Sequence, residues 1–128
     1  EAWWERQEVE DVVMGSDNSV DSTQAKLKAK FGAIMQQLKK AKDSWPFHGP
    51  VDTNVVKDYL DYVKTPIDFS LIFQRIDEGY YGSPEAFKAD VNLVFENCRL
   101  YNKPNTQYYD CANVTQERFA KLCVKHEI

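Results

Sequence analysis

A chain of 128 residues, 43% hydrophobic and 28% charged, is sized and composed for one globular domain with a real core. No run of about 18 uncharged apolar residues occurs, so neither a membrane-spanning segment nor a membrane partner is expected. The net charge of −4 is uneven, −6 over residues 1–22 and +2 over the rest, and neither part has the dense Lys/Arg stripe that phosphate-backbone binding needs, so sequence-specific nucleic-acid binding is not expected.

The N-terminal EAWWERQEVEDVV is acidic and lacks the apolar core of a signal peptide, so it is not read as a secretory leader. Residues 1–21 read as an acidic extension or linker that runs into the small, polar MGSDNSVDS. Trp3 and Trp4 leave two readings open: a short helix with Val9, Val12 and Val13 that packs locally or on a neighbouring domain, or a peptide-like docking motif. Leu27, Phe31, Ile34, Leu38 and Ala41 then recur at helical spacing. Asp21 with Gln24 resembles a capping box that starts this helix. Lys26, Lys28, Lys30, Lys39 and Lys40 keep its other face in water, and it is expected to stop near Asp43 and Ser44, before Trp45-Pro46.

Residues 45–67, WPFHGPVDTNVVKDYLDYVKTPI, form a loop too long to be a mere connection, which makes it either functional or disordered. Phe47, Val51, Val55, Val56, Tyr59, Leu60, Tyr62 and Val63 argue against disorder because they must bury somewhere, and a helical turn is expected around Asp58 to Tyr62. Asp68 can cap a second helix that turns Leu71, Ile72 and Ile76 inward and ends at Gly79. Ser83-Pro84 reads as the N-cap and first position of a third, with Phe87, Val91, Val94, Phe95, Cys98 and Tyr101 on one stripe until Pro104. A fourth begins near Thr106 and shows Tyr109, Ala112, Gln116, Phe119 and Cys123. No segment alternates with period two, so strands are not expected. An all-α four-helix bundle, with one long apolar loop between its first two helices, satisfies every stripe at once.

Three cysteines, Cys98, Cys111 and Cys123, make an odd count without close pairing, which suits a reducing compartment. His48 and His126 lie far apart, with no metal-ligand spacing near a cysteine, so no metal and no cofactor are expected. Catalysis would need a nucleophile, a base and an orienting group together, and the pattern supplies none. Cys98 sits mid-stripe like an inert buried thiol, and His48 has no evident partner. A binding concavity fits better, formed where the apolar loop meets the turn between the third and fourth helices. Position alone leaves Asn102 two roles there: a helix C-cap in the left-handed conformation, or a ligand anchor.

WPF at 45–47, PVD at 50–52, DY at 58–59, KTPID at 64–68, FENCRLYN at 95–102 and YYDCA at 108–112, in this order and spacing, resemble a bromodomain over about residues 22–126, so the domain is placed at 22–128. Within that family the segment looks most like the bromodomains of PCAF-type histone acetyltransferases, and next like that of the chromatin-remodelling subunit BPTF. The resemblance implies a left-handed bundle and a non-catalytic, monomeric, nuclear module that reads N-acetyl-lysine in histone tails or other acetylated proteins. A parent acetyltransferase would keep its catalytic domain elsewhere. Carried over residue by residue, it implies that Asn102 donates to the acetyl carbonyl and that Tyr59 reaches the same oxygen through a water. Pro46 and Phe47 would be the shelf at the mouth, Val51 and Val56 the loop wall, Cys98 and Tyr101 the third-helix wall, and Tyr108 the gatekeeper, with Tyr109 in the core. Lys57-Asp58-Tyr59-Leu60 departs from the family's frequent Pro-Asp-Tyr-Tyr, which implies a looser loop and the loss of a second hydroxyl that faces away from the ligand.

No carboxylate is expected at the pocket base, so selectivity for the acetylated form would come from stranding an unpaired ammonium. The acidic arm is expected to compete with basic tails or steer them. Two rivals stand beside this reading: a scaffold without a ligand, and a degenerate bromodomain that docks a protein through Trp3-Trp4 or another surface.

Overall fold

The computed structural model describes residues 19–128, all of the regular structure there being helical. The acidic arm, with Trp3 and Trp4, lies outside the described residues. Helix α1 spans Ser19–Lys40, so it starts before the expected cap and places Asp21 within its first turn. It also ends earlier than expected. A 3-10 helix over Lys42–Phe47 takes over, with Pro46 inside it. Ser44 supports the stop: its buried hydroxyl lies 2.9 Å from the carbonyl of Lys39, one of the acceptors at the helix end, and 2.9 Å from that of Ala41. Phe31, Ile34, Met35 and Leu38 form the buried stripe, whereas Leu27 and Ala41 are half-buried. Lys28 is not simply solvated, since its Nζ donates to the Asp77 carbonyl at 3.2 Å.

After the loop and a single turn α2 (Tyr59–Tyr62) comes α3 (Phe69–Asp77). Its N-cap is Asp68, whose carboxylate accepts from the backbone N–H groups of Ser70 and Leu71. Gly79 follows with φ +71°, a left-handed position that glycine adopts without steric cost. Phe69, Ile72, Phe73 and Ile76 are buried, and Leu71 is half-buried. Helix α4 (Pro84–Tyr101) is capped by Ser83 with proline at its first position, and α5 (Gln107–Lys125) by Thr106. On α5 the buried stripe is Cys111, Ala112, Thr115, Phe119, Leu122 and Cys123. Tyr109, expected in the core, is only half-buried, because that stripe turns it toward the edge of the interface.

The four long helices close a ring of contacts, α1 on α3, α3 on α4, α4 on α5 and α5 on α1, and the 3-10 helix packs on α5. Stripes that each helix cannot bury alone are thereby buried together. At the centre Phe31 stacks on Phe87 at 4.3 Å, and Tyr81 and Phe119 meet Phe87 edge-on at 5.6 and 5.9 Å. The buried Thr115 donates to the Asp43 carbonyl at 3.0 Å, which pins the 3-10 helix to α5. Far from the loop, Asp90 accepts from Arg75 at 2.6 Å and from Tyr81 at 2.7 Å, joining α3 to α4.

Phe87 is fully buried and touches three other rings, so Phe87→Ala should lower unfolding stability by about 3–5 kcal/mol in chemical denaturation. Ser83→Ala, which removes only a cap, should cost about 1 kcal/mol. A Phe87→Ala midpoint equal to that of the parent chain would contradict this account of the core.

Candidate functional site

The last turn of α4 carries two adjacent pairs of residues, each spaced one helical turn apart. Asn97 and Tyr101 hold the loop. The Asn97 side-chain amide donates to the Thr65 carbonyl at 2.8 Å, and the Tyr101 hydroxyl donates to Asp58 Oδ1 at 2.6 Å. The Tyr101 ring lies 5.2 Å from Tyr59 and 5.5 Å, edge-on, from Tyr62. Cys98 and Asn102 form the second pair. Asn102 donates to the Cys98 carbonyl with both its backbone N–H and its side-chain Nδ2, each at 2.9 Å, and Nδ2 lies 3.6 Å from the Cys98 sulfur. It does cap the helix, but with φ −94° and ψ 143°, an extended backbone. The left-handed residue of this turn is Asn105, at φ 71°. The expected left-handed cap at Asn102 is therefore corrected. Its backbone N–H and side-chain amide share the Cys98 carbonyl, and the left-handed position falls to Asn105.

Cys98 also donates its thiol proton to the Tyr108 carbonyl at 3.2 Å, which seats the first turn of α5 beside α4. The exposed ring of Tyr108 tilts against Trp45 at 5.7 Å. Below them Phe47 is buried, edge-on to Phe95 at 5.3 Å, so it belongs to the floor as much as to a shelf. The loop opposite is folded on itself: the Asp52 carbonyl accepts from Val55 and Val56 at 3.0 and 2.9 Å, and its carboxylate accepts from the Asn54 N–H at 2.9 Å. Of the apolar loop residues expected to bury, Phe47, Tyr59 and Val63 do and Val56 does in part. Val51, Val55, Leu60 and Tyr62 are exposed, Val55 at 75%. A loop laid on one helix has only one dry side.

Between loop and helices lies a cavity of about 330 Å³. Pro46, Phe47, Val51, Val56, Tyr59, Cys98, Tyr101, Asn102 and Tyr108 all line it, so every residue singled out from the sequence comes to one place. Gly49, Pro50, Thr53, Pro66, Ile67, Asp68 and Val94 complete the lining. Trp45, not singled out, stands beside the rim through its contact with Tyr108. Its position within the WPF word was the available signal. One carboxylate, that of Asp68, is among the lining residues. It is buried, and its Oδ2 accepts from the N–H groups of Ser70 and Leu71 and from the Ser70 hydroxyl, so this oxygen faces the N-terminus of α3. His48 lies outside the lining and is not partnerless, since its Nε2 is 2.9 Å from Ser44 Oγ and 3.1 Å from the Lys39 carbonyl. Among the described residues, no group of three His, Cys, Asp or Glu could hold a metal ion.

Among models of known protein families, the one described as Bromodomain matches residues 31–114. The chain is 38% identical over 89 residues to a protein named histone acetyltransferase GCN5 from Oryza sativa subsp. japonica, covering 69% of this chain and 17% of that protein. It is 39% identical over 80 residues to the protein of the same name from Yarrowia lipolytica, covering 62% and 17%. The chain thus spans about a sixth of the length of these relatives. Among solved structures, that of the bromodomain from human BAZ1A is similar with a TM-score of 0.75 and 31% identity, over 77% of this chain and 92% of that one.

Burial sets the protonation of the groups in and around the cavity. It raises the Tyr59 pKa, with Cys98 and Asp68 adding to the effect, so this phenol is a neutral hydroxyl at ordinary pH. It raises the thiols of Cys98, Cys111 and Cys123 as well, all three free and buried. Two outcomes follow. In native protein near neutral pH, all three thiols should react with a disulfide reagent far more slowly than free cysteine, and denaturant should release all three. Above the unfolded thiol pKa of about 9, the unfolded chain loses protons that the folded chain keeps, so stability should fall as pH rises through the alkaline range. One thiol reacting at the rate of free cysteine would refute the first outcome, and a flat alkaline melting profile the second.

Proposed function

The chain belongs to the bromodomain family of acetyl-lysine readers, a binding module and not a catalyst, and on that premise we propose that the cavity at the end of α4 holds the acetylated side chain with Asn102 as its polar anchor. The observation that carries this assignment is the Asn102 amide. It is held by the Cys98 carbonyl through one Nδ2 hydrogen bond, and its second N–H has no other partner among the described residues than the weak sulfur contact. A half-buried amide fixed in this way is a preorganised donor for a neutral carbonyl.

Acetylation converts a lysine ammonium into a neutral amide on a four-carbon stem. Burying the stem and methyl contributes roughly 0.8 kcal/mol per carbon, and a net neutral hydrogen bond about 0.5–1.5 kcal/mol. Pro46, Phe47, Val51, Val56, Cys98 and Tyr101 receive the apolar part, Tyr108 and Trp45 flank the mouth, and the neutral Tyr59 hydroxyl shares the acetyl oxygen through a bridging water. An unmodified lysine would bring a charge that must shed its water, and in the one carboxylate of the lining, Asp68, one oxygen already accepts from three donors of α3. Discrimination then rests on the cost of stranding the ammonium. Association entropy leaves a modest affinity, which suits a monomeric module that acts beside other domains. The acetyltransferase relatives favour acetylated histone tails as the partner, the nucleus as the compartment and a PCAF-type acetyltransferase as the parent protein.

Isothermal titration with singly and doubly acetylated histone-tail peptides tests the assignment. The parent chain should bind acetylated but not unmodified peptide. Asn102→Ala should leave the helical circular dichroism intact and reduce affinity by about one to two orders of magnitude, since it strands a buried carbonyl. Equal affinity in the two chains would remove Asn102 from the site.

A further inference from the structure

We infer that the hydrogen bond from Tyr101 to Asp58 is a latch that holds the loop over residues 49–58 against α4, and that the two residues thereby position the cavity wall and set its affinity. This inference rests on the acetyl-lysine reading of the cavity.

The loop is poor in ties to the rest of the protein. Its polar contacts around Asp52, to Asn54, Val55 and Val56, all close within the loop itself. Between Gly49 and Lys64, among the described residues, the bond at Asp58 is the single hydrogen bond that reaches another helix. The next anchor, Asn97 to the Thr65 carbonyl, lies beyond α2. Val51 and Val56, both in the cavity lining, thus belong to a small self-bonded unit that is joined to α4 at one polar point. Asp58 immediately precedes Tyr59, whose ring lies against Tyr101, so what fixes Asp58 also fixes where Tyr59 enters the cavity. The bond itself is exposed. Water competes for both partners, so opening it costs little and the loop can be released without disturbing the core.

Four variants test the latch: Tyr101→Phe, which keeps the ring contacts with Tyr59 and Tyr62, Asp58→Ala, Asp58→Asn, which keeps an oxygen acceptor, and the double variant Tyr101→Phe/Asp58→Ala. Two readouts are needed, amide hydrogen exchange over residues 51–63 and the Kd for an acetylated histone-tail peptide. Tyr101→Phe and Asp58→Ala should each speed exchange at the Tyr59 and Val63 amides and weaken peptide binding by about two- to tenfold. The double variant should be no worse than either single one, and Asp58→Asn should stay close to the parent chain on both readouts, a rescue that loss of bulk or charge does not predict. Unchanged exchange in Tyr101→Phe, additive losses in the double variant, or Asp58→Asn behaving like Asp58→Ala each overturns the latch. Faster exchange with an unchanged Kd overturns its role in affinity. A parent chain that binds no acetylated peptide overturns the reading of the cavity and the affinity role with it, while the exchange pattern still decides whether the latch exists.

Discussion

The cavity depends on a long irregular loop staying seated on one turn of helix. Each loop residue that is held in place gives up conformational freedom, and this loop returns little of that by burial, because several of its apolar side chains face water. The last turn of α4 supplies what burial does not. Asn97 and Tyr101 grip the loop at Thr65 and Asp58, and Cys98 and Asn102 set the opposing wall. These residues are neighbours at the end of one helix, so the spacing of the two cavity walls is set by helix geometry. One short piece of backbone therefore borders the cavity on both sides.

The charge distribution of the lining follows from the same economy. Asp68 borders the cavity because α3 begins there and needs a cap for its unpaired N–H groups. Three hydrogen bonds and the helix dipole hold its Oδ2 toward α3, and the cavity is lined besides by the Asn102 amide and the neutral Tyr59 phenol. A residue whose local task is structural thus also borders the cavity, where its charge helps to keep the Tyr59 phenol protonated. Both consequences come from where α3 starts, and the KTPID word carries them together.

Much of this was legible along the chain. Ser83, Thr106 and Asp68 act as caps, Gly79 ends α3 with positive φ, and the apolar stripes of α1, α3 and α4 bury apart from Leu27, Ala41, Leu71 and Tyr101, which are half-buried. These features are legible because capping and amphipathic periodicity are interactions within a few residues. The differences are one helix start and several contacts of longer reach. Asp21 fell within α1, whose start lies two residues earlier. Tyr109 was given to the core, but the neighbours of α5 favour Cys111, Thr115 and Leu122. Loop valines were assumed to bury, although composition does not say which side of a loop is dry. His48 gained partners from Ser44 and Lys39 only once the 3-10 helix had turned it toward α1.

By itself, then, the sequence determined a four-helix chain, its caps, its interrupted loop and, through six short words in register, the family and the residues to watch. Only the tertiary structure decided that Asn102 caps α4 from an extended backbone, that Asp68 borders the cavity with one oxygen engaged, and that Tyr101 reaches Asp58 across 43 positions of chain. The division has a physical cause. Local hydrogen bonds and side-chain periodicity are encoded within one or two turns, whereas a cavity is the space left between elements, and its walls are known only after the helices have packed.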